Sequence, residues 1–338
     1  MLRLPAFEVL EPTTVPEAVA LLARHGDRAR LMAGGTDLLP NMKHEIESPA
    51  VVIGLWRIDA LKRIERREGE LRIGALVTLD QLSADPRVRE AVPSLAEAAG
   101  MVAGPQLRRM GTLGGNVCLD TRCVYINQTY FWRQALGFCL KKDGTVCHVV
   151  AGGRRCVAAA SNDSAPVLMT LGARLELASP RGTRSLGIDD FYLGNGAFNQ
   201  ARARDELLSE VVIPEPAPGT VMAYAKLRTR AAIDFPELGV AVLAELDDQA
   251  RVRRVDVCLT ALAARPVHVP GLDAIARGKR LDATIIARIA EAALDRAKPQ
   301  TNIATDPEYR REMVPVFVRR AFVAALARGR LPPVRELR

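Results

Sequence analysis

Four of the chain's six cysteines, Cys123, Cys139, Cys147 and Cys156, fall within 34 consecutive residues, separated by gaps of 15, 7 and 8. Four thiolates are the ligand count of a tetrahedral zinc site or of an iron–sulfur cluster. No Cys-x-x-Cys knuckle occurs, and the gaps are too wide for the short chelate loops of zinc ribbons and fingers. A cubane is larger than a single ion and separate loops can reach its corners, so the spacing favours a 4Fe–4S cluster. Disulfides are the alternative, and they belong to oxidising compartments. His148 adjoins Cys147, but with four thiols at hand it reads as a hydrogen-bonding neighbour rather than a ligand. Cys258 lies in an apolar run and reads as core; Cys118 reads as a small packing residue.

The same stretch carries Arg122, Arg133, Lys141, Lys142, Arg154 and Arg155 against one acid, Asp143. A four-thiolate cluster is negatively charged, so basic neighbours would stabilise it and ease thiol deprotonation during assembly. They would also attract an acidic protein; a solvated basic face is the plainer alternative. Tyr125, Tyr130, Phe131 and Trp132 are expected to pack over the segment and keep water from it.

Two further loops could hold an anion. Gly34-Gly35-Thr36-Asp37 ends a strand-like run, and Gly111-Thr112-Leu113-Gly114-Gly115-Asn116 follows a helix-like one. Glycine lacks the β-carbon that would block close approach to backbone N–H groups. Neither loop has the Gly-x-Gly-x-x-Gly or Gly-Lys-Ser/Thr pattern of the common nucleotide loops. Together they suggest a shared pyrophosphate site.

Elements to position these loops are legible. Thr14-Val15-Pro16-Glu17 reads as a capping box opening a helix that stops at His25-Gly26. Residues 29–33, 51–53 and 71–73 read as short strands. Thr78 to Gln81 and Ser94 to Glu97 look like further capped helix starts, the second helix running to about Ala103. Residues 166–177 read as a helix and then a strand, and Asp163 could cap that helix. Pro214-Glu215-Pro216-Ala217-Pro218-Gly219 reads as a linker. Beyond it, residues 240–246 and 252–262 resemble antiparallel strands, followed by helices at 283–296 and from Asp306-Pro307.

The chain has 338 residues, a net charge of +8 and 49% hydrophobic residues, enough for two or three domains with a substantial core. Basic residues are scattered and aromatics scarce, which argues against nucleic acid. No apolar run is long enough to span a membrane, and the first residues, with Pro5 and Glu8, lack a signal-peptide core. A cytoplasmic setting, where thiols stay reduced, is expected.

Taken together, Ala33-Gly34-Gly35-Thr36-Asp37-Leu38, Gly111 to Asn116, Asp163-Ser164-Ala165-Pro166 and Lys226 with Asp234 resemble the flavin subunits of the molybdenum hydroxylase family. In most members a short loop links the Gly-Gly-Asn element to the Asp-x-x-Pro helix; here 47 positions separate Asn116 from Asp163, and the cysteine segment fills them. That insertion resembles the cluster-bearing loop of the β subunits of 4-hydroxybenzoyl-CoA reductases. The resemblance implies an α+β fold: a two-subdomain FAD-binding domain over residues 1–213, an inserted 4Fe–4S loop at 117–160, a linker at 214–219 and a C-terminal α+β domain at 220–330.

It further implies FAD held by Ala33, Gly34, Gly35, Thr36, Asp37 and Leu38, with Thr112, Gly115 and Asn116 opposite. Asp163 would bond ribityl or adenosine groups, Lys226 would lie near the isoalloxazine, and the four cysteines would ligate the cluster. Many members have Ser-Asp where Asn162-Asp163 stands, which leaves position 162 without an assigned role. No catalytic residue for the ring chemistry is expected in this chain. Partner subunits would carry molybdenum cofactor and 2Fe–2S clusters in a dimerised heteromeric complex that dehydroxylates 4-hydroxybenzoyl-CoA with electrons from ferredoxin. A NAD- or oxygen-linked flavin subunit of another molybdenum hydroxylase is the alternative.

Overall fold

A computed structural model describes residues 2–329. Strands β1 (Glu8–Leu10), β2 (Ala29–Met32) and β3 (Val51–Gly54) form a parallel sheet in the order β1-β3-β2. The crossover helix Val15–His25 starts as expected: the Thr14 hydroxyl accepts from the Glu17 N–H, and Gly26 closes the end at φ 51°. The reciprocal half of the capping box shifts by one residue, because the Glu17 carboxylate accepts from the Thr13 N–H at 2.8 Å.

Strands β4 (Ile64–Arg67), β5 (Glu70–Gly74), β6 (Arg174–Ser179), β7 (Gly182–Gly187) and β8 (Leu207–Pro214) form an antiparallel sheet ordered β4-β5-β8-β6-β7. Between β5 and β6 lie short helices and the cysteine segment. Thr78 makes a complete capping box with Gln81. Ser94 does not cap: Pro93 occupies the first helical turn, so the helix Pro93–Gly100 begins one residue earlier and Ser94 is buried inside it. Its Glu97 instead accepts from the Tyr224 N–H. The helix stops at Gly100 rather than Ala103, which has a left-handed φ of 45°.

The third sheet, β9 (Thr220–Leu227), β10 (Leu238–Leu246), β11 (Val252–Thr260) and β12 (Val267–His268), is antiparallel in the order β12-β11-β10-β9. Alternate residues serve different cores, as the two-residue period of a strand requires. Met222, Tyr224, Ala241, Leu243 and Cys258 join the core beneath the second sheet. Val221, Ala223, Val240, Val242, Val257 and Leu259 pack against the helices Ala283–Arg296 and Pro307–Arg328. Burial on both faces explains the unbroken apolar run through β10. Among the described residues no helix is long and apolar enough to cross a membrane.

His268 of β12 ties this sheet to the preceding layer. Its ring bonds Asp256 of β11 at 2.8 Å and Asp189 of the helix Ile188–Phe191 at 2.9 Å, and Arg254 also contacts Asp256 at 3.3 Å. Burial disfavours the imidazolium, but the two carboxylates outweigh it and raise its pKa to about 9. A folded pKa above the unfolded value contributes stability that is complete below about 6.5 and lost as pH rises through about 9. Thermal unfolding from pH 6 to 10 should therefore show wild type losing stability relative to His268→Gln across this window. A constant difference between the two would show that the bridge carries no proton-linked stability.

Candidate functional site

The first glycine loop lies between β2 and the six-residue helix Leu38–Lys43. Gly35 is left-handed at φ 71°, and its carbonyl accepts from Leu39. Among the described residues, the N–H groups of Gly34, Gly35, Thr36, Asp37 and Leu38 find no acceptor in the chain. Five consecutive free amides at a helix start are an anion-binding surface. A β-carbon on Gly34 would overlap the Met110 carbonyl, and one on Gly111 would lie 3.5 Å from Thr36 Oγ1. The two glycine loops are thus in contact.

The second loop differs from expectation. Residues Leu113–Val117 form a helical turn whose amides are already bonded: Leu113 to the Val77 carbonyl, Gly114 to Ala75, Gly115 to Thr112 Oγ1 and Asn116 to the Thr112 carbonyl. It walls the cradle rather than donating to an anion. Asn116 Oδ1 accepts from both the N–H and the hydroxyl of Ser164, fixing the start of the helix Ser164–Thr170.

Asp163 precedes that helix but does not cap it. Its carboxylate accepts from Tyr224 Oη at 2.7 Å and Lys226 Nζ at 3.0 Å, and Lys226 also donates to the Met101 carbonyl. Both side chains of the pair are at most 3% exposed. Burial pushes the Asp163 carboxyl up and the Lys226 ammonium down, each opposed by the partner's charge. The residue expected to bond ribityl or adenosine groups and the one expected near the isoalloxazine are therefore bonded to each other, locking β9 onto the Ser164–Thr170 helix. Asp234 pairs with Arg230 instead. Asn162 donates to Tyr192 Oη and is buried.

All four cysteines of the insertion line one cavity, none of them in a disulfide, with Tyr125, Lys141 and His148. Among the described residues no group of three or more His, Cys, Asp or Glu is placed to hold a single metal ion. Burial, with the neighbouring sulfurs adding to it, raises the Cys123 thiol to about 11. Four thiolates need compensating positive charge here, which a cluster's iron would supply. Cys139 sits in a tight turn, its carbonyl accepting from Lys142 and Gly144. His148 Nε2 is 2.6 Å from the Phe138 carbonyl, and its ring stacks near Tyr125, the neighbour role expected of it. Cys258 is core and contacts Met169 Sδ.

The basic residues do not form one free face. Arg122 pairs with Asp37 of the glycine loop and lies over the Phe235 ring. Arg133 is 2% exposed and donates to the carbonyls of His44 and Glu45. Lys141, 7% exposed, holds Asp120, Thr121 Oγ1 and the Gly196 carbonyl. Arg154 and Arg155 remain exposed, and Lys142 half so. The aromatics also depart from expectation: Phe131 is 80% exposed, and Tyr130 and Trp132 are exposed too, because Arg133 is the one residue that the helix Tyr130–Ala135 buries.

Residues 5–216 match the family described as the FAD binding domain in molybdopterin dehydrogenase, and residues 222–325 match the CO dehydrogenase flavoprotein C-terminal domain. The carbon monoxide dehydrogenase medium chain of Hydrogenophaga pseudoflava is 30% identical, the alignment spanning 96% of this chain and 98% of the relative. The aldehyde oxidoreductase FAD-binding subunit of Escherichia coli (strain K12) is 35% identical over 78% of this chain and 84% of its own. A solved carbon monoxide dehydrogenase from H. pseudoflava, lacking the Mo-pyranopterin moiety of its cofactor, aligns with a TM-score of 0.79 at 29% identity, covering 96% of this chain and 99% of that one.

Removing one partner of the buried pair should be costly. Asp163→Ala strands an ammonium at this junction, with an expected loss of about 3–5 kcal/mol in denaturant unfolding. Asp163→Ala/Lys226→Met should recover much of it. A single variant as stable as wild type would mean that the pair does not hold the layers together.

Proposed function

This chain belongs to the FAD-binding medium subunits of the molybdenum hydroxylase family, and we propose that it is the FAD and 4Fe–4S electron-transfer subunit of a 4-hydroxybenzoyl-CoA reductase. The observation that carries this reading is the convergence of four free thiols of the insertion on one cavity. In this role the cluster and flavin supply a relay from reduced ferredoxin to 2Fe–2S and molybdenum centres on partner subunits, where the phenolic hydroxyl is removed to give benzoyl-CoA.

The chain's own residues bind and position. The free amides of Gly34, Gly35 and Thr36 hold the FAD pyrophosphate, flanked by Ala33, Asp37 and Leu38 and walled by Thr112, Gly115 and Asn116. Arg122 neutralises Asp37, so that no uncompensated carboxylate faces the phosphates. Asp163 and Lys226 bond one another and hold β9 against the Ser164–Thr170 helix, whose neighbour Asn116 walls the cradle. Cys123, Cys139, Cys147 and Cys156 ligate the cluster, and Lys141 brings an ammonium to its cavity wall. Exposed Arg154 borders a second cavity that Cys147 also lines, and with Arg155 and Lys142 it offers positive charge to an acidic donor. A cytoplasmic, dimerised heteromeric complex accommodates all of these partners.

Anaerobically purified protein should contain about four iron and four acid-labile sulfide per FAD. Alanine at any of the four insertion cysteines should remove the cluster and leave FAD bound, while alanine at Cys118 or Cys258 should leave iron intact. Stoichiometric zinc without iron would overturn the cluster assignment.

Assembled with its molybdenum and 2Fe–2S partners, the complex should reduce 4-hydroxybenzoyl-CoA with ferredoxin and only sluggishly with NADH. Rising salt should slow the ferredoxin reaction, and charge reversal at Arg154 and Arg155 should do the same. Lys141 is unsuited to that test because it is an internal anchor. Preference for NADH, with no response to these charges, would favour the NAD-linked alternative.

A further inference from the structure

We infer that the segments bearing Cys123 and Cys156 are set from outside the insertion, by two positioning residues, Asn302 and Gly196; the inference rests on the cluster reading above. Asn302 belongs to the segment between the helices Ala283–Arg296 and Pro307–Arg328 and is 0% exposed. Its backbone carbonyl accepts from the Val124 N–H at 2.8 Å, and its Nδ2 donates to the Val157 carbonyl at 2.5 Å. Val124 follows Cys123 and Val157 follows Cys156. One residue of the C-terminal domain thereby clamps the first and last ligand-bearing segments to each other. The clamp is itself held, since Arg310, also 0% exposed, donates to the carbonyls of Gln300 and Ala261.

Gly196 holds the Cys156 segment from another side. Its N–H donates to the Cys156 carbonyl at 2.8 Å, and its carbonyl accepts from Thr121 Oγ1 at 2.6 Å and Lys141 Nζ at 2.5 Å. A β-carbon there would lie 2.8 Å from both Cys156 Sγ and Ala158 N. Any side chain at 196 must therefore displace the Cys156 sulfur or the backbone just after it. The outer thiols, Cys123 and Cys156, are set by residues far away in sequence, whereas Cys139 is held by the insertion's own turn.

This division gives the test its signature. In full-length protein stripped of iron, alkylation of each cysteine is followed by mass spectrometry for wild type, Asn302→Ala, Asn302→Asp and Gly196→Ala. Loss of the Nδ2 donor to the buried Val157 carbonyl should speed alkylation of Cys156 about tenfold in both Asn302 variants, with Cys123, held through the backbone carbonyl that both variants keep, and Cys139, Cys147 and Cys258 unchanged. Gly196→Ala should act on Cys156 alone. In anaerobically purified protein, the same variants should lose iron to a chelator about tenfold faster than wild type while keeping FAD. Equal acceleration at all cysteines, Cys258 included, would reduce Asn302 to a general stability role and overturn the inference, as would wild-type rates throughout. Wild type that holds no iron would overturn the cluster reading itself, whatever the alkylation pattern.

Discussion

The segment 33–46 serves both candidate sites, and the placement of each depends on it. Its first residues are the free amides of Gly34 to Leu38. Its last are the His44 and Glu45 carbonyls that receive buried Arg133, and Ile46, which packs with Ile126, Cys139 and Cys123. The helix Leu38–Lys43 between them is six residues long, about 9 Å of helix axis. Arg122, one residue before Cys123, returns to the same segment at Asp37. The cysteine insertion is therefore braced against the glycine loop and its helix at both ends, and cannot drift relative to the cradle without breaking buried polar contacts.

The insertion's excess of basic residues becomes intelligible in this light. A long loop in a compact domain must give its backbone and its charges partners. Arg133 and Lys141 work as internal anchors, meeting carbonyls and single acids, and Arg122 bridges to another loop. What a linear count shows as one positive tract divides into buried fasteners and a smaller exposed remainder around Arg154 and Arg155. The remainder stays exposed; the fasteners hold the segment in place.

The C-terminal sheet does similar work for the flavin side. Because β9 to β11 are buried on both faces, they act as a partition between two cores. At the partition, Asp163, Tyr224 and Lys226 form the polar contact that joins the layers. A buried ion pair is a weak source of net stability but a strong source of register, since misplacing either charge leaves it unsolvated.

Local signals were legible in the chain. The Thr14, Thr78 and Gly26 caps, the strands at β2, β3 and β5, and both terminal helices follow from residue types within a few positions of each other. The count and spacing of the four cysteines marked out a segment whose sulfurs the fold brings to one cavity. Other features depended on residues distant in sequence. Ser94 lost its cap to a neighbouring proline, and Asp163 took a lysine 63 positions away rather than its own helix. The second glycine loop surrendered its amides to residues 75 and 77. The clamp at Asn302 had no local signature at all. A hydrogen bond formed across long sequence separation leaves no periodicity or motif, so only the folded chain decides which polar groups remain free to bind and which are already satisfied.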